Sequence, residues 1–117
     1  MEPTGTWKNS QGQILTFKAD SSVMLGQEGY EGGSAGRWFY SGDTLIVRDQ
    51  SVMTQEGEVF NEYYMIPEDG ELRLVFFTLH RGADIMTQSL EQLAPRMGKT
   101  VKQYNFVRTE PKKENGK

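Results

Sequence analysis

Cysteine is absent from the 117 residues. Disulfide staples, thiol catalysis, CxxC redox chemistry and thiolate metal sites are absent with it. Histidine occurs once, at His80, so no His-based metal cluster can form. Positive charge is not in excess. The net charge is -3 at pH 7, with Lys and Arg scattered rather than gathered in a stripe, which argues against binding nucleic acid through its phosphates. No apolar run approaches the roughly eighteen residues of a membrane span. The opening MEPTG has neither the basic nor the apolar region of a secretion signal, so no signal peptide is expected there.

What the chain has is alternation, turn residues and aromatics. Its length suits one domain, expected over residues 1–110, that buries very roughly two thirds of its unfolded surface. The charged tail 111–117 has no apolar residue to dock and is expected to be disordered.

Alternation dominates up to about residue 79. TWKN, QILTFKA and SVMLGQ read as three short strands separated by turn-forming NSQG and DSS. Gly26 to Gly36, with five glycines in eleven residues, reads as a flexible or bulged connection. It lacks the phosphate-loop pattern, and no helix follows it. RWFYSGDTLIVRD predicts a hairpin that turns at Ser41, Gly42 and Asp43. EVFNEYYMIPEDGELRLVFFTL predicts a clearer one, because Asp69-Gly70 is a favoured two-residue turn between apolar runs.

After Gly82 the spacing of Ile85, Met86, Leu90, Leu93 and Met97 predicts an amphipathic helix from about Asp84 to Ala94. TVKQYNFVRT then reads as a last strand. About eight short strands, mostly joined by tight turns, predict an all-β fold with one short helix. The expected form is an up-and-down antiparallel β-barrel, since closure removes exposed edges.

Gly5-Thr6-Trp7 on the first strand and Arg108 in YNFVRT on the last resemble the structural signature of lipocalins and lipocalin-like calycin barrels. In that family a first-strand Gly-x-Trp closes one barrel end and a late-strand Arg packs across the indole. A guanidinium over an indole face contributes roughly 0.5–2 kcal/mol. The resemblance implies that Gly5, Trp7 and Arg108 close the barrel. It also implies a bacterial lipocalin-like domain at an extracytoplasmic site, in the periplasm or anchored to the envelope.

Same-parity residues of a strand share a face. Trp38 and Tyr40 form one such set, Phe60, Glu62, Tyr64 and Ile66 a second, and Leu72, Leu74 and Phe76 a third. If these faces point inward, Trp38, Tyr40, Phe60, Glu62, Tyr64 and Phe76 line a pocket for a small hydrophobic or amphipathic ligand. An inward Glu62 would need a partner or a ligand, whereas a local bulge would turn it outward.

The opposite face of the same late strand, Val75, Phe77 and Leu79, needs cover, and the expected helix supplies it through Ile85, Met86, Leu90 and Leu93. His80, near Arg81 and Asp84, reads as a loop anchor. The scattered carboxylates Glu28, Glu31, Glu56 and Glu58 read as solvated acids rather than a glycosidase pair.

No catalytic constellation, metal motif or nucleotide fingerprint is evident, so a non-enzymatic ligand-binding barrel without cofactor is expected. The alternative is a protein-interaction or inhibitor module of the bacterial envelope with a filled core. It would use the Gly26–Gly36 loop and the helix region as its contact surface.

Overall fold

A computed structural model describes residues 3–109; the charged tail 111–117 lies outside the described residues. The strands are β1 (Gly5–Lys8), β2 (Gln13–Phe17), β3 (Ser22–Gln27), β4 (Ser34–Ser41), β5 (Thr44–Asp49), β6 (Val52–Thr54), β7 (Gly57–Glu68), β8 (Glu71–Arg81), β9 (Asp84–Ser89) and β10 (Phe106–Arg108). One helix, α1 (Leu90–Arg96), and a 3₁₀ turn at Val101–Tyr104 stand between β9 and β10.

All pairings are antiparallel, in the order β6-β7-β5-β4-β3-β2-β1-β10-β8-β9, and β7 also pairs with β8. That last pairing closes an eight-stranded all-β barrel. The two further strands extend it: β5 and β6 follow one another along one edge of β7, and β10 and β9 along one edge of β8. The expected count of about eight thus matches the ring, with β6 and β9 added beside the long β7–β8 hairpin.

Local chemistry sets the turns. Asp69 and Gly70 both take positive φ, 54° and 78°, as a type I′ hairpin turn requires and as Asp-Gly readily supplies. The other expected hairpin, β4 to β5, turns through Gly42 and Asp43. The glycine-rich stretch is shorter as a loop than its composition suggests, because Gly26 ends within β3 and Ser34 to Gly36 already pair with it.

The helix is also shorter than expected. Asp84–Ser89 forms β9 on the free edge of β8, so Ile85 and Met86 are 60% and 63% exposed rather than packed beneath a helix. A 3.6-residue spacing of apolar groups does not outweigh a turn at Gly82 that returns the chain beside an unpaired strand edge. Ser89 then caps the helix, its hydroxyl accepting a hydrogen bond from the Gln92 backbone N–H. Leu90 and Ala94 are buried and Leu93 packs against the core, which is the part of the expected cover that forms. The last strand is reduced to Phe106–Arg108, since Val101–Tyr104 forms the 3₁₀ turn.

The core runs through Trp7, Leu15, Phe17, Val23, Leu45, Val47, Met65, Leu72, Leu74 and Phe106. At its centre is the closure predicted from the sequence. Trp7 pairs with Arg108 across β1 and β10, is 0% exposed, and carries the Arg108 guanidinium 4.4 Å from its ring centroid. Its indole N–H donates to the Pro3 carbonyl at 2.8 Å, and Arg108 Nη1 donates to the Thr4 carbonyl.

Gly5 stands at φ +119°, and a Cβ there would lie 2.9 Å from Arg108 Nη1. The Gly-x-Trp spacing therefore leaves room for the arginine that covers the tryptophan. Arg108→Ala is expected to cost about 0.5–2 kcal/mol, lowering the melting temperature by roughly 4 °C per kcal/mol. A thermal melt that is unchanged by this substitution would show that the stacked guanidinium contributes nothing.

Candidate functional site

One end of the barrel is filled. Phe17 and Trp38 meet edge to face at 6.1 Å between centroids, and Trp38 and Tyr40 at 6.2 Å. Trp38 donates its indole N–H to the Lys18 carbonyl at 2.9 Å. Of the six residues expected to line a pocket, these two pair with core residues Val47 and Leu45 on β5; Trp38 packs against the core, while Tyr40 is 36% exposed.

The other end holds a cavity of about 240 Å³ between Gln13, Leu15, Leu25, Gln27, Asp49, Tyr63, Leu74 and Phe106. Its walls are the inward sides of β2, β3, β5, β7, β8 and β10. Asp49 stands where β5 leaves β7. Its two carboxylate oxygens accept the Asn61 backbone N–H at 2.8 Å and the Asn61 side-chain amide at 3.0 Å, replacing ladder bonds that the departing strand no longer supplies.

The Tyr63 hydroxyl has no hydrogen-bond partner among the described residues. Burial, with the Asp49 charge beside it, pushes its pKa up, so the group stays a neutral O–H donor at physiological pH. The cavity thus combines apolar walls with a free donor, a carboxylate and two amides.

Phe60, Glu62, Tyr64 and Phe76 lie elsewhere. Tyr63 and Met65 on β7, and Leu45 and Val47 on β5, pack in the core. The alternate residues Glu62, Tyr64, Ile46 and Arg48 therefore face outward. On β8 the register slips by one residue, from Tyr64↔Phe76 to Met65↔Leu74. The extra residue, Val75, is a bulge, and it puts Phe76 on the face opposite Leu72 and Leu74. This corrects the expectation that Leu72, Leu74 and Phe76 share a side. The sequence hides the bulge because LRLVFF is apolar on both parities.

On that outer face the side chains form a dense network. Glu62 is only 5% exposed. Its Oε2 accepts from Arg48 Nε at 2.7 Å and lies 2.6 Å from Arg48 Nη2. Its Oε1 accepts from the Tyr64 hydroxyl at 2.7 Å and lies 3.3 Å from His80 Nε2.

His80 also meets the Thr78 hydroxyl at 3.0 Å and stacks on Phe60 at 4.4 Å; Tyr64 stacks on Phe76 at 4.3 Å. Burial pushes the Glu62 pKa up, but the hydrogen bonds from Tyr64 and Arg48 and the Arg48 charge outweigh it and hold the carboxyl below its usual range. The Tyr64 hydroxyl is pushed up by burial and by its bond to Glu62. Glu62 is thus satisfied by the protein's own donors, and the four residues cover an outer sheet face rather than line an interior.

Of the cavity residues, Leu74 stood in a face expected to point inward, whereas Gln13, Leu25, Asp49 and Tyr63 were not singled out from the sequence. Parity alone groups Tyr63 with Met65 and Leu45 with Val47 and Asp49, but only ring closure says which parity faces inward. No family model, curated protein or solved structure matches the chain. No helix among the described residues is long and apolar enough to cross a membrane.

Proposed function

We propose that this chain is a non-enzymatic, lipocalin-like binding barrel that takes a small amphipathic molecule into the cavity at the Gln13 and Gln27 end. The observation that carries the reading is the unpartnered Tyr63 hydroxyl in the wall of a cavity of about 240 Å³ whose lining is mixed polar and apolar. Apolar contact with Leu15, Leu25, Leu74 and Phe106 supplies affinity, and Tyr63 and Asp49 orient a polar head. The volume matches on the order of eight waters of liquid and falls below the few hundred Å³ typical of sites for drug-sized ligands. The ligand is accordingly short. The Trp7–Arg108 closure and the filled far end support the lipocalin-like reading by leaving a single mouth.

The head is expected to be a donor, and a cationic one by preference, because the Asp49 carboxylate keeps unused lone pairs. Titrating hexylamine and hexanoate while following the methyl resonances of Leu15, Leu25 and Leu74 tests this. Hexylamine should shift those methyls and bind more tightly than hexanoate. Leu25→Trp, which fills the cavity, should weaken binding by about tenfold or more, the equivalent of roughly 1.4 kcal/mol. The reading fails if neither probe perturbs the three methyls.

A second reading, a protein-interaction module, draws support from the exposed apolar groups on the two unpaired edge strands. Val52 and Met53 on β6 are 62% and 76% exposed, and Ile85 and Met86 on β9 are similarly open. Such edges are surfaces on which another strand can pair. In this reading the contact surface is the β6–β9 end rather than the Gly26–Gly36 loop and the helix.

A further inference from the structure

Strand β9 ends the sheet order, and among the described residues it pairs with β8 and with no other strand. One side of its backbone therefore presents N–H and C=O groups without ladder partners. The Ser89 carbonyl is already taken by the Gln88 side-chain amide at 3.1 Å, so the open stretch runs from Asp84 to Gln88. Asp84 to Thr87 are exposed, and Ile85 and Met86 project to opposite faces of the sheet at 60% and 63% exposure. The strand has none of the devices that keep sheet edges apart: it holds no lysine or proline, and its register with β8 is unbroken.

The charges at the two ends of this edge are complementary. Asp84 is the only charged residue of β9. Its cross-strand neighbour Arg81 reaches toward Glu56 instead, Nε to Oε1 at 3.9 Å, and the Asp84 carboxylate has no ion pair with any described residue. At the far end, Arg96 of α1 donates from Nη2 to Gln88 Oε1 at 3.0 Å. It likewise has no carboxylate partner among the described residues. One end of the open stretch thus carries an unpaired negative charge and the other an unpaired positive one.

Such an edge complements a second copy of itself. An antiparallel two-fold pairing sets residues of the same face opposite one another. With Met86 on the axis, Ile85 meets Thr87 of the second copy and Asp84 meets its Gln88. Directly opposed side chains stand about 5 Å apart at Cβ, which brings each Asp84 to the Arg96 that holds the opposing Gln88. Two equivalent ion pairs then flank a Met86–Met86 contact, and no like charges are opposed. A centre at Thr87 would instead need the occupied Ser89 carbonyl. The other free edge, β6, is three residues long and offers a shorter ladder.

We infer that the chain forms a homodimer by antiparallel pairing of β9 with β9 of a second copy, its register fixed by Asp84 and Arg96. The contact is isologous, so it closes at two copies. It gives the β9 edge of the second reading above a definite partner. It is independent of the interior cavity, which no residue of β9 borders.

The test is sedimentation of the full chain over a series from about 1 μM to 1 mM. The mass should rise with concentration from 13.3 kDa toward twice that value. Met86→Lys, which sets two lysines opposite each other at an exposed site, should weaken the dimer about tenfold or more at an unchanged melting temperature. Asp84→Arg and Arg96→Asp should each weaken it, and the double variant carrying both should recover most of the loss. A monomer at every concentration would overturn the inference, as would assembly beyond two copies, the result of joining β9 to β6. So would wild-type affinity in Met86→Lys, or a double variant no tighter than the single ones. None of these outcomes alters the hexylamine titration, so failure of the dimer and failure of the cavity reading are told apart.

Discussion

Replacing Trp7 with alanine is expected to remove about 3–5 kcal/mol of stability, a third or more of what a domain of this size typically holds. Three losses add. The largest fully buried side chain leaves a cavity in the core; the Pro3 carbonyl loses its indole donor; the Arg108 guanidinium loses the ring beneath it.

Trp7→Phe separates these contributions. It keeps an aromatic face for Arg108 but leaves the Pro3 carbonyl without its partner, a cost of about 1–3 kcal/mol for a buried polar group. Urea unfolding of both variants measures the difference. If Trp7→Ala unfolds within about 1 kcal/mol of the wild type, well short of the range for large core deletions, the closure is not what holds the barrel.

The second large effect belongs to Glu62. Glu62→Ala strands a guanidinium, a phenol and an imidazole that now share one carboxylate. A fully buried pair broken this way costs about 3–5 kcal/mol, but Arg48 is 48% exposed in its side chain and can be rehydrated. The expected loss is therefore about 1–3 kcal/mol, in the range of a hydrogen bond to a charged group.

The same carboxylate gives the wild type an acid-sensitive component. Because the folded pKa of Glu62 is depressed, its contribution is present in full above the unfolded value of about 4.3 and is lost as pH falls through the lower folded value. Urea unfolding at neutral pH and at about pH 3 should show a smaller fall for Glu62→Gln than for the wild type. Equal falls in the two proteins would show that Glu62 titrates as an ordinary surface acid.

The network also illustrates how a correct residue can be read in the wrong place. Phe60, Glu62 and Tyr64 do share a strand face, as alternation in EVFNEYYM requires. Alternation cannot say whether that face is the inside or the outside of a closed sheet. β7 is apolar or aromatic on both sides, with Tyr63 and Met65 competing for the interior, and the more apolar pair together with its neighbours Leu45 and Val47 takes it. The Val75 bulge then moves Phe76 to the other side of β8. Both outcomes depend on register with neighbouring strands, which a single strand's sequence does not contain.

The Asp84–Ser89 segment departs from its apolar spacing for a related reason. Ile85, Met86 and Leu90 fit a helical stripe, yet β8 offered an unpaired edge after the tight turn at Gly82. Backbone pairing along six residues prevailed over amphipathic spacing, and a shorter helix began only at Ser89.

The sequence by itself determined the elements whose causes are local: the Asp69-Gly70 turn, the short alternating strands, and a cysteine-free chain that must rely on its core. The Gly5, Trp7 and Arg108 closure was legible only through the resemblance to lipocalin-like barrels, and the structure places the Arg108 guanidinium 4.4 Å from the Trp7 ring centroid. Only the tertiary structure decided which parity faces inward, where the bulge falls, and that one end is plugged by Trp38 while the other keeps a cavity beside Tyr63. The physical reason is that closing a sheet fixes all eight strands at once. Each side chain's face then follows from the packing of the whole ring rather than from its own neighbours in the chain.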